Sequence, residues 1–335
     1  TKVNDVLPQI NEMAVEEYIK RYVSIFPSNL LEGKRIGIYE HSSAGRDIYK
    51  HIFKKLGATV VSLGRSDFFV PIDTEAVSHK DCKKAVDWSR CHQLDAIFST
   101  DGDGDRPLLA DNNGQWLRGD VLGLLCSLAL KIEAVATPIN CNSMIEIIDS
   151  FPLVHRTKIG SPFVLESIAS LKSKKYISAG FEANGGFILA SAVEYKGKII
   201  DSLPTRDALL PAIVVLASAY DKKINISTLI SSLPRLFTAS DRLQNFSKET
   251  SKSYLAMLQK EPSVYLTFIG NDKQVKDVNL MDGIRITYSD NRVIHVRASG
   301  NAPELRCYCE SYSLEDATEL VRAVLEHAGK YSNYI

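Results

Sequence analysis

Apolar positions in the first 220 residues alternate between helical and strand-like spacing. After a polar lead-in over 1–13, Val15, Tyr18, Ile19, Tyr22, Val23 and Phe26 recur at helical intervals until Pro27. Arg35–Tyr39 then reads as a strand. Ile48, Tyr49, Ile52, Phe53 and Leu56 read as a helix ended by Gly57, and the β-branched run Ala58–Leu63 as a second strand. This is a βαβ unit. A helix over Asp81–His92 and a buried strand over Ala96–Thr100 follow. The alternation resumes with a helix over Val121–Leu130, strands over Ala134–Pro138 and Leu153–Thr157, and a helix over Ser161–Leu171 with Pro162 in its first turn. Strands over Ile177–Phe181 and Phe187–Ala190 and an apolar helix over Asp207–Ala219 complete it. Two successive βα patterns predict two α/β domains with parallel or mixed sheets.

The rest of the chain is patterned differently. Residues 221–280 are polar and weakly periodic. Ile284–Tyr288 and Val293–Arg297 alternate on either side of Ser289-Asp290-Asn291, which predicts a hairpin, and Leu305–Glu310 a third strand. Ser313 with Asp316 opens a helix that carries Leu320, Val321, Val324 and Leu325. A small α+β domain is expected, giving three domains at 1–117, 118–238 and 239–335. Neither a repeat of 20–50 residues nor a low-complexity tract is visible.

Composition narrows the function classes. The 40 basic and 40 acidic residues cancel, which argues against a general nucleic-acid binder. No apolar run reaches the length of a membrane span, and no charged start followed by an apolar core marks a signal peptide. A cytoplasmic protein is expected. The chain begins at Thr1 rather than Met, so something upstream is expected to be missing. Cys82, Cys91, Cys126, Cys141, Cys307 and Cys309 are dispersed without CxxC spacing, as reduced, buried thiols would be. Cys307 and Cys309 share one face of a strand.

Three loops carry chemistry. Asp101-Gly102-Asp103-Gly104-Asp105-Arg106 follows a buried strand. Its carboxylates at i, i+2 and i+4 lie on one side of an extended chain, and the glycines let the backbone curl until their oxygens converge. Hard oxygen ligands suit Mg²⁺, and Arg106 adds a planar cation suited to phosphate. An EF-hand would place glycine sixth and glutamate twelfth, where Arg106 and Asn112 stand, and is rejected. A phosphatase of the haloacid-dehalogenase type would follow its second aspartate with threonine or valine rather than Gly104. Gly180-Phe181-Glu182-Ala183-Asn184-Gly185-Gly186 offers a carboxylate and an amide able to grip a polyol, and reads equally as an ordinary β-turn. In Arg297-Ala298-Ser299-Gly300-Asn301-Ala302-Pro303-Glu304-Leu305-Arg306, a hydroxyl and backbone N–H groups around Gly300 form an anion nest, and Arg297 and Arg306 supply bidentate donors.

In this order the loops resemble those of the α-D-phosphohexomutases, the phosphomannomutase and phosphoglucomutase family. The magnesium loop of the DGDGDR type is matched in full at Asp101–Arg106. The sugar loop, GE-x-S-G in the family, is matched at Glu182-Ala183-Asn184-Gly185, with Asn184 for serine. The phosphate loop, R-x-S-G-T-E-P with a following arginine, is matched at Arg297, Ser299, Gly300, Pro303 and Arg306, with Asn301 and Ala302 substituted. The resemblance runs from the helix near Tyr18 to the C-terminal helix and covers family domains two, three and four. The first domain of the family carries the catalytic serine in a T-x-S-H-N-P-type loop. Ser78-His79 continues as Lys80-Asp81, and Ser42-Ser43 lies in a βα turn, so neither matches, and a missing N-terminal domain is expected in the full-length protein.

The resemblance implies interconversion of hexose 1-phosphate and hexose 6-phosphate through a hexose 1,6-bisphosphate that is both intermediate and activator. It implies Mg²⁺ on Asp101, Asp103 and Asp105, with Arg106 catalytic beside it, and sugar hydroxyls on Glu182 and Asn184. The non-reacting phosphate falls on Arg297, Ser299, Gly300, Asn301 and Arg306. Lys158, in Thr157-Lys158-Ile159-Gly160-Ser161-Pro162, stands where some members have a proton-transferring histidine. The expected partner is a small-molecule sugar phosphate, with neither nucleic acid nor membrane, and the expected motion is a hinge of the last domain near 235–245. The alternatives are a non-catalytic phosphosugar-binding remnant and a Mg²⁺-dependent phosphatase with Asp101 as nucleophile.

Overall fold

A computed structural model of the chain describes residues 9, 11–270, 274–300 and 302–332. The first unit comprises α1 (Glu12–Val23), β1 (Arg35–Tyr39), α2 (Arg46–Lys55), β2 (Thr59–Leu63), α3 (His79–His92), β3 (Ala96–Thr100) and β4 (Pro107–Ala110). Its sheet has the order β2-β1-β3-β4. β1 runs parallel to β2 and β3, and β4 turns back antiparallel on β3. Gly57 does end α2, in the left-handed region at φ 93°.

The second unit repeats this plan. It comprises α4 (Gly119–Ala129), β5 (Ala134–Pro138), α5 (Met144–Ile147), β6 (Leu153–Thr157), α6 (Ser161–Ser173), β7 (Ser178–Phe181), β8 (Phe187–Leu189), β9 (Val193–Tyr195), β10 (Lys198–Ile200), α7 (Leu209–Asp221) and α8 (Ile226–Ser231). Its main sheet has the order β6-β5-β7-β8, with β8 antiparallel to β7. The duplication is one of topology and leaves no repeat of residues in the sequence. α7 is apolar on all sides because it is buried on all sides, from Leu209 to Ala217. One continuous core holds Ile36 and Phe98 of the first unit together with Leu122, Phe181 and Val214 of the second. A polar pin secures it: Asp207 at the start of α7 accepts a 2.5 Å hydrogen bond from the Tyr22 hydroxyl of α1.

The weakly patterned region proves to be structured. It contains α8, β11 (Phe237–Gln244), α9 (Lys248–Lys260), α10 (Ser263–Thr267) and β12 (Val275–Asn279). β13 (Ile284–Tyr288), β14 (Val293–Ala298), β15 (Glu304–Ser311) and α11 (Leu314–Ser332) complete the third unit. Its antiparallel sheet has the order β11-β15-β14-β13-β12. The expected hairpin is present, with Ile284 opposite Val296 and Asn291 at φ 64° in the turn. Of the stretch 235–245 expected to hold a hinge, β11 is paired with β15 along its whole length, from Phe237–Ser311 to Gln244–Glu304, while 235 and 236 belong to the connection between α8 and β11.

Alternation decides which way this sheet faces. Ile294, Val296, Leu305, Cys307 and Cys309 point into a core of their own, with Tyr254 of α9 and Val324 of α11. The opposite face carries, in register, Arg242, Arg306 and Arg297, and one step further Ser240, Tyr308, His295 and Arg285. This polar face meets the other two units. Asn142 donates to the Leu236 carbonyl and the Thr238 hydroxyl, Arg285 donates to the Ser143 hydroxyl, and the Ile159 N–H donates to Asp282 Oδ2 at 3.0 Å. Separate cores joined by polar contacts suit relative motion. All six cysteines are free; Cys307 and Cys309 lie side by side as expected, but Cys91 is exposed on α3 rather than buried.

His295 gives this unit a pH signature. Burial pushes its imidazole down from 6.5 to about 4, with Arg285 and Arg297 adding to the effect against the Asp282 carbonyl and carboxylate. The neutral ring is favoured in the fold. Its contribution is therefore complete above pH 6.5 and is lost as pH falls from 6.5 toward 4, by about 3 kcal/mol in all. Both tryptophans, Trp88 and Trp116, lie in the first unit, so amide hydrogen exchange in β14 and β15 is the suitable readout. Protection there should fall more steeply between pH 7 and 4 in the wild type than in H295Q; parallel profiles would contradict the assignment.

Candidate functional site

The two acidic loops occupy equivalent places. Each leaves the C-terminal end of the third strand of its sheet and leads into the antiparallel fourth strand, so each emerges where parallel sheets bind their ligands. Asp101–Arg106 joins β3 to β4 and is closed by the Asp101 N–H on the Arg106 carbonyl at 3.2 Å. Glu182–Gly186 joins β7 to β8 and is closed by the Glu182 N–H on the Gly186 carbonyl at 3.0 Å. Glycine is needed at Gly104 (φ 84°), where a Cβ would meet the Tyr49 hydroxyl at 2.6 Å. It is needed at Gly185 (φ 93°), where one would meet the Pro107 carbonyl at 2.8 Å.

The first loop gathers its carboxylates as its spacing predicts. Asp101, Asp103 and Asp105 bring oxygens within 4.8 Å of one another. Asp101 Oδ1 accepts the N–H groups of Gly104 and Arg106, both at 3.2 Å, which fixes its rotamer. Burial pushes the Asp101 carboxyl up to about 6; the backbone N–H of Arg106 opposes this, and Asp103 and Asp105 add to it. Arg106 Nε lies 3.5 Å from Asp101 and 3.8 Å from Asp105. Asp105 Oδ1 is buried with no hydrogen-bond partner. Three hard oxygen donors converging beside an unsatisfied one fit a Mg²⁺ ion.

The second loop opens onto the first. Burial raises the Glu182 carboxyl, against the opposing charges of Arg206 and Arg106. Asn184 Oδ1 accepts the Gly186 N–H at 3.0 Å and so shapes the turn, leaving the amide nitrogen as its donor. Arg206 spans both loops, with Nη2 2.5 Å from Asp105 Oδ2 and Nη1 3.8 Å from Glu182 Oε1. Sequence reasoning missed this residue. The one available signal was an Arg-Asp pair directly before a wholly apolar helix.

Arg297 and Arg306 are direct cross-strand partners on β14 and β15. Between them the Ser299 N–H donates to the Glu304 carbonyl at 2.8 Å, closing the connection, and Gly300 is exposed beside it. Asn301 lies outside the described residues. Each arginine faces a carboxylate: Arg297 Nε donates to Asp282 Oδ1 at 3.1 Å, and Arg306 donates twice to Glu304 Oε2, at 3.3 and 3.2 Å. Arg242 of β11 approaches the other oxygen of Glu304 at 3.5 Å. A cavity of about 230 Å³ separates Arg242, Arg306 and Tyr308 from Asp73 and Glu75 of the first unit. Thr74, between those two acids, donates to the Asn184 carbonyl at 2.7 Å. The segment 73–76, unremarked in the sequence, thus touches the second loop on one side and faces the arginines on the other. Burial raises the Glu75 carboxyl within it.

Lys158 is exposed on the β6–α6 turn, its Nζ 5.9 Å from the Phe163 ring centre, next to the Ile159–Asp282 contact. The two serine pairs set aside in the sequence have local duties. Ser78 caps α3, Ser42 accepts the Val70 N–H, and the Ser43 hydroxyl bonds that of Thr100. Among the described residues, no helix is long and apolar enough to cross a membrane.

Comparison with known proteins agrees in every part of the chain. Residues 16–114 match alpha/beta/alpha domain II of phosphoglucomutase/phosphomannomutase, 118–237 match alpha/beta/alpha domain III, and 260–327 match the C-terminal domain. A phosphomannomutase of Salmonella muenchen is 55% identical over 319 residues, covering 95% of this chain and 66% of its own length. In fold, a phosphoglucomutase/phosphomannomutase family protein of Burkholderia thailandensis superposes with a TM-score of 0.70 at 17% identity, over 94% of this chain and 65% of the other. N-acetylphosphoglucosamine mutase of Aspergillus fumigatus, solved in complex with GlcNAc-6P and magnesium, superposes at 0.60 and 14% identity, over 95% and 66%. The chain therefore spans just under two thirds of these relatives' length, and it belongs to the phosphoglucomutase/phosphomannomutase family.

Proposed function

We propose that this chain is the metal-, sugar- and phosphate-binding part of a phosphohexomutase that interconverts a hexose 1-phosphate and a hexose 6-phosphate through a hexose 1,6-bisphosphate. The observation that carries this reading is contiguity: Arg206 lies against both the aspartate loop and the Glu182 loop, and the segment 73–76 touches Asn184 of the second loop while facing Arg306 across the cavity. Homology to a phosphomannomutase favours mannose as the hexose. The fold neighbour holding GlcNAc-6P and magnesium supports the ligand classes.

Each side chain has a physical task in this reading. Asp101, Asp103 and Asp105 would hold Mg²⁺, which supplies charge neutralisation at a transferring phosphoryl group. Arg106, whose Nε makes no hydrogen bond, adds a planar donor to phosphoryl oxygens. Glu182 accepts from sugar hydroxyls, and Asn184 donates through its amide nitrogen. Arg297, Arg306, Ser299, Gly300 and Asn301 grip the non-reacting phosphate, which orients the far end of the sugar. Lys158 is the proton-transfer candidate, since it sits on the turn that touches the third unit. The protein would carry its phosphoryl group on a serine and act in the cytoplasm. These 335 residues contain no serine loop of the family type, so the nucleophile belongs to a further domain.

The proposal has three measurable consequences. With Mg²⁺, mannose 1-phosphate and glucose 1,6-bisphosphate, the 335-residue polypeptide should form no mannose 6-phosphate, and joining it to the remaining third of the Salmonella muenchen relative should restore turnover. Robust turnover by the 335 residues alone would sink the assignment of the nucleophile elsewhere. Titration of Mn²⁺, followed by electron paramagnetic resonance, should show affinity at least about tenfold weaker in D103N. R306Q should weaken mannose 1-phosphate binding by about 10- to 100-fold in calorimetry, as expected for a lost charge-assisted pair. Unchanged values would remove those residues from the site.

A further inference from the structure

Arg206 is held in place by its neighbour. Asp207 is buried and accepts the N–H groups of Leu209 and Leu210, at 3.1 and 3.2 Å, besides the Tyr22 hydroxyl. The backbone of Arg206 is therefore fixed at the start of α7, and its side chain runs outward over Gly186. A Cβ on Gly186 would stand 2.5 Å from Arg206 Cδ. Along that path the guanidinium meets one carboxylate from each α/β unit, Asp105 at 2.5 Å and Glu182 at 3.8 Å.

The two contacts are unequal, and that inequality is informative. The Asp105 contact is a close ion pair. The Glu182 contact is longer than one, and Glu182 Oε1 has no hydrogen-bond partner although it is buried. Asp105 Oδ1, the oxygen that Arg206 leaves alone, is likewise buried and unpartnered. A planar fork of five N–H donors that already spans both groups needs only a small rotation to exchange a strong bond to one for a strong bond to the other. A cation on the aspartate loop competes with Arg206 for the charge of Asp105, and the guanidinium then turns toward Glu182.

We infer that Arg206 is a positioning residue that relays occupancy of the aspartate loop to the sugar-binding carboxylate. With the loop empty, Arg206 holds Asp105 by Oδ2 and stands 3.8 Å from Glu182. With a divalent cation bound, Arg206 engages Glu182 and fixes it for the sugar hydroxyls. Linkage makes the effect reciprocal, so a bound sugar phosphate also tightens the cation. This inference rests on the metal and sugar roles proposed above, but it adds a dependence of one site on the other that runs through one side chain.

The test measures binding rather than turnover. Mannose 1-phosphate is titrated calorimetrically into the 335-residue chain with and without saturating Mg²⁺. The wild type should bind the sugar phosphate at least about fivefold more tightly with Mg²⁺, the lower end of ordinary coupling between sites. In R206M the ratio should fall below about twofold, and R206K should recover part of it. The Arg206 side-chain N–H resonance should move when Mg²⁺ is added without sugar. If R206M keeps the full Mg²⁺ dependence, or the wild type binds both ligands with no dependence at all, the inference is overturned while the proposed function stands. If the wild type binds neither Mg²⁺ nor mannose 1-phosphate, the proposed function falls and the inference with it. R206K, which retains a cation against both carboxylates, keeps the comparison open where R206M does not fold.

Discussion

The site depends on one chain reversal made twice. In each α/β unit two parallel crossovers are followed by a strand that turns straight back, β3 into β4 and β7 into β8. A parallel crossover would bury its connection under a helix. A direct reversal instead leaves a short loop at the C-terminal edge, closed by one backbone hydrogen bond. That bond is the same in both loops, from the first residue's N–H to the last residue's carbonyl. Because the loops are so short, their side chains have few rotamers to choose from. Asp101 and Glu182 sit at the same step of the reversal, each leaving a buried strand, and burial raises both carboxyls.

Concentrating carboxylates at that edge creates an electrostatic problem that sets where the arginines must be. Asp101 and Glu182 are buried and Asp105 is half-buried, where unpaired charges are costly. Arg106 lies beside the first group and Arg206 bridges to the second. This compensation is incomplete, since Asp105 Oδ1 and Glu182 Oε1 remain without donors. A structure that leaves two buried acceptors unsatisfied in one place is poised for ligands that supply cations or hydroxyls. The unsatisfied atoms thus lead to the same chemistry as the loop sequences, by an independent route.

What could be read from the residues alone follows from how local each feature is. The aspartate loop was legible because its ligands are two residues apart, and the spacing itself brings the oxygens together. The alternation of Ile294, Val296, Cys307 and Cys309 against Arg297 and Arg306 was legible for the same reason. β4, β9 and β10 escaped because strands of four and three residues have no period to detect. β11 escaped because FTASDRLQ is an edge strand with a largely solvated face, so it reads as polar coil. Arg206 escaped for a different reason: its meaning lies in two loops distant in sequence, and only the fold of α7 against both sheets brings them to it. The serine at 78 shows the converse, where a residue that invites a functional reading is spent on capping a helix.

The third unit obeys the same electrostatic logic with the signs reversed. Its cleft face is a row of arginines across β11, β15 and β14, and repulsion within the row is relieved by Glu304 and Asp282. These carboxylates already engage the arginines, so the phosphate of the proposed function would have to outcompete them. Asp282 cannot yield without consequence. Its other oxygen holds the Ile159 N–H of the second unit at 3.0 Å, and its carbonyl accepts from the buried His295 at 2.6 Å. Drawing Arg297 away from Asp282 therefore alters a contact between units, next to Lys158 on the same turn. Because the third unit has its own core and meets the others mainly through such polar contacts, the cost of changing them is small beside the cost of disturbing either core. Rotation of the third unit about 232–236 would disturb these contacts rather than either core, and in the proposed function the groups that hold the anion would also be those that hold the units together.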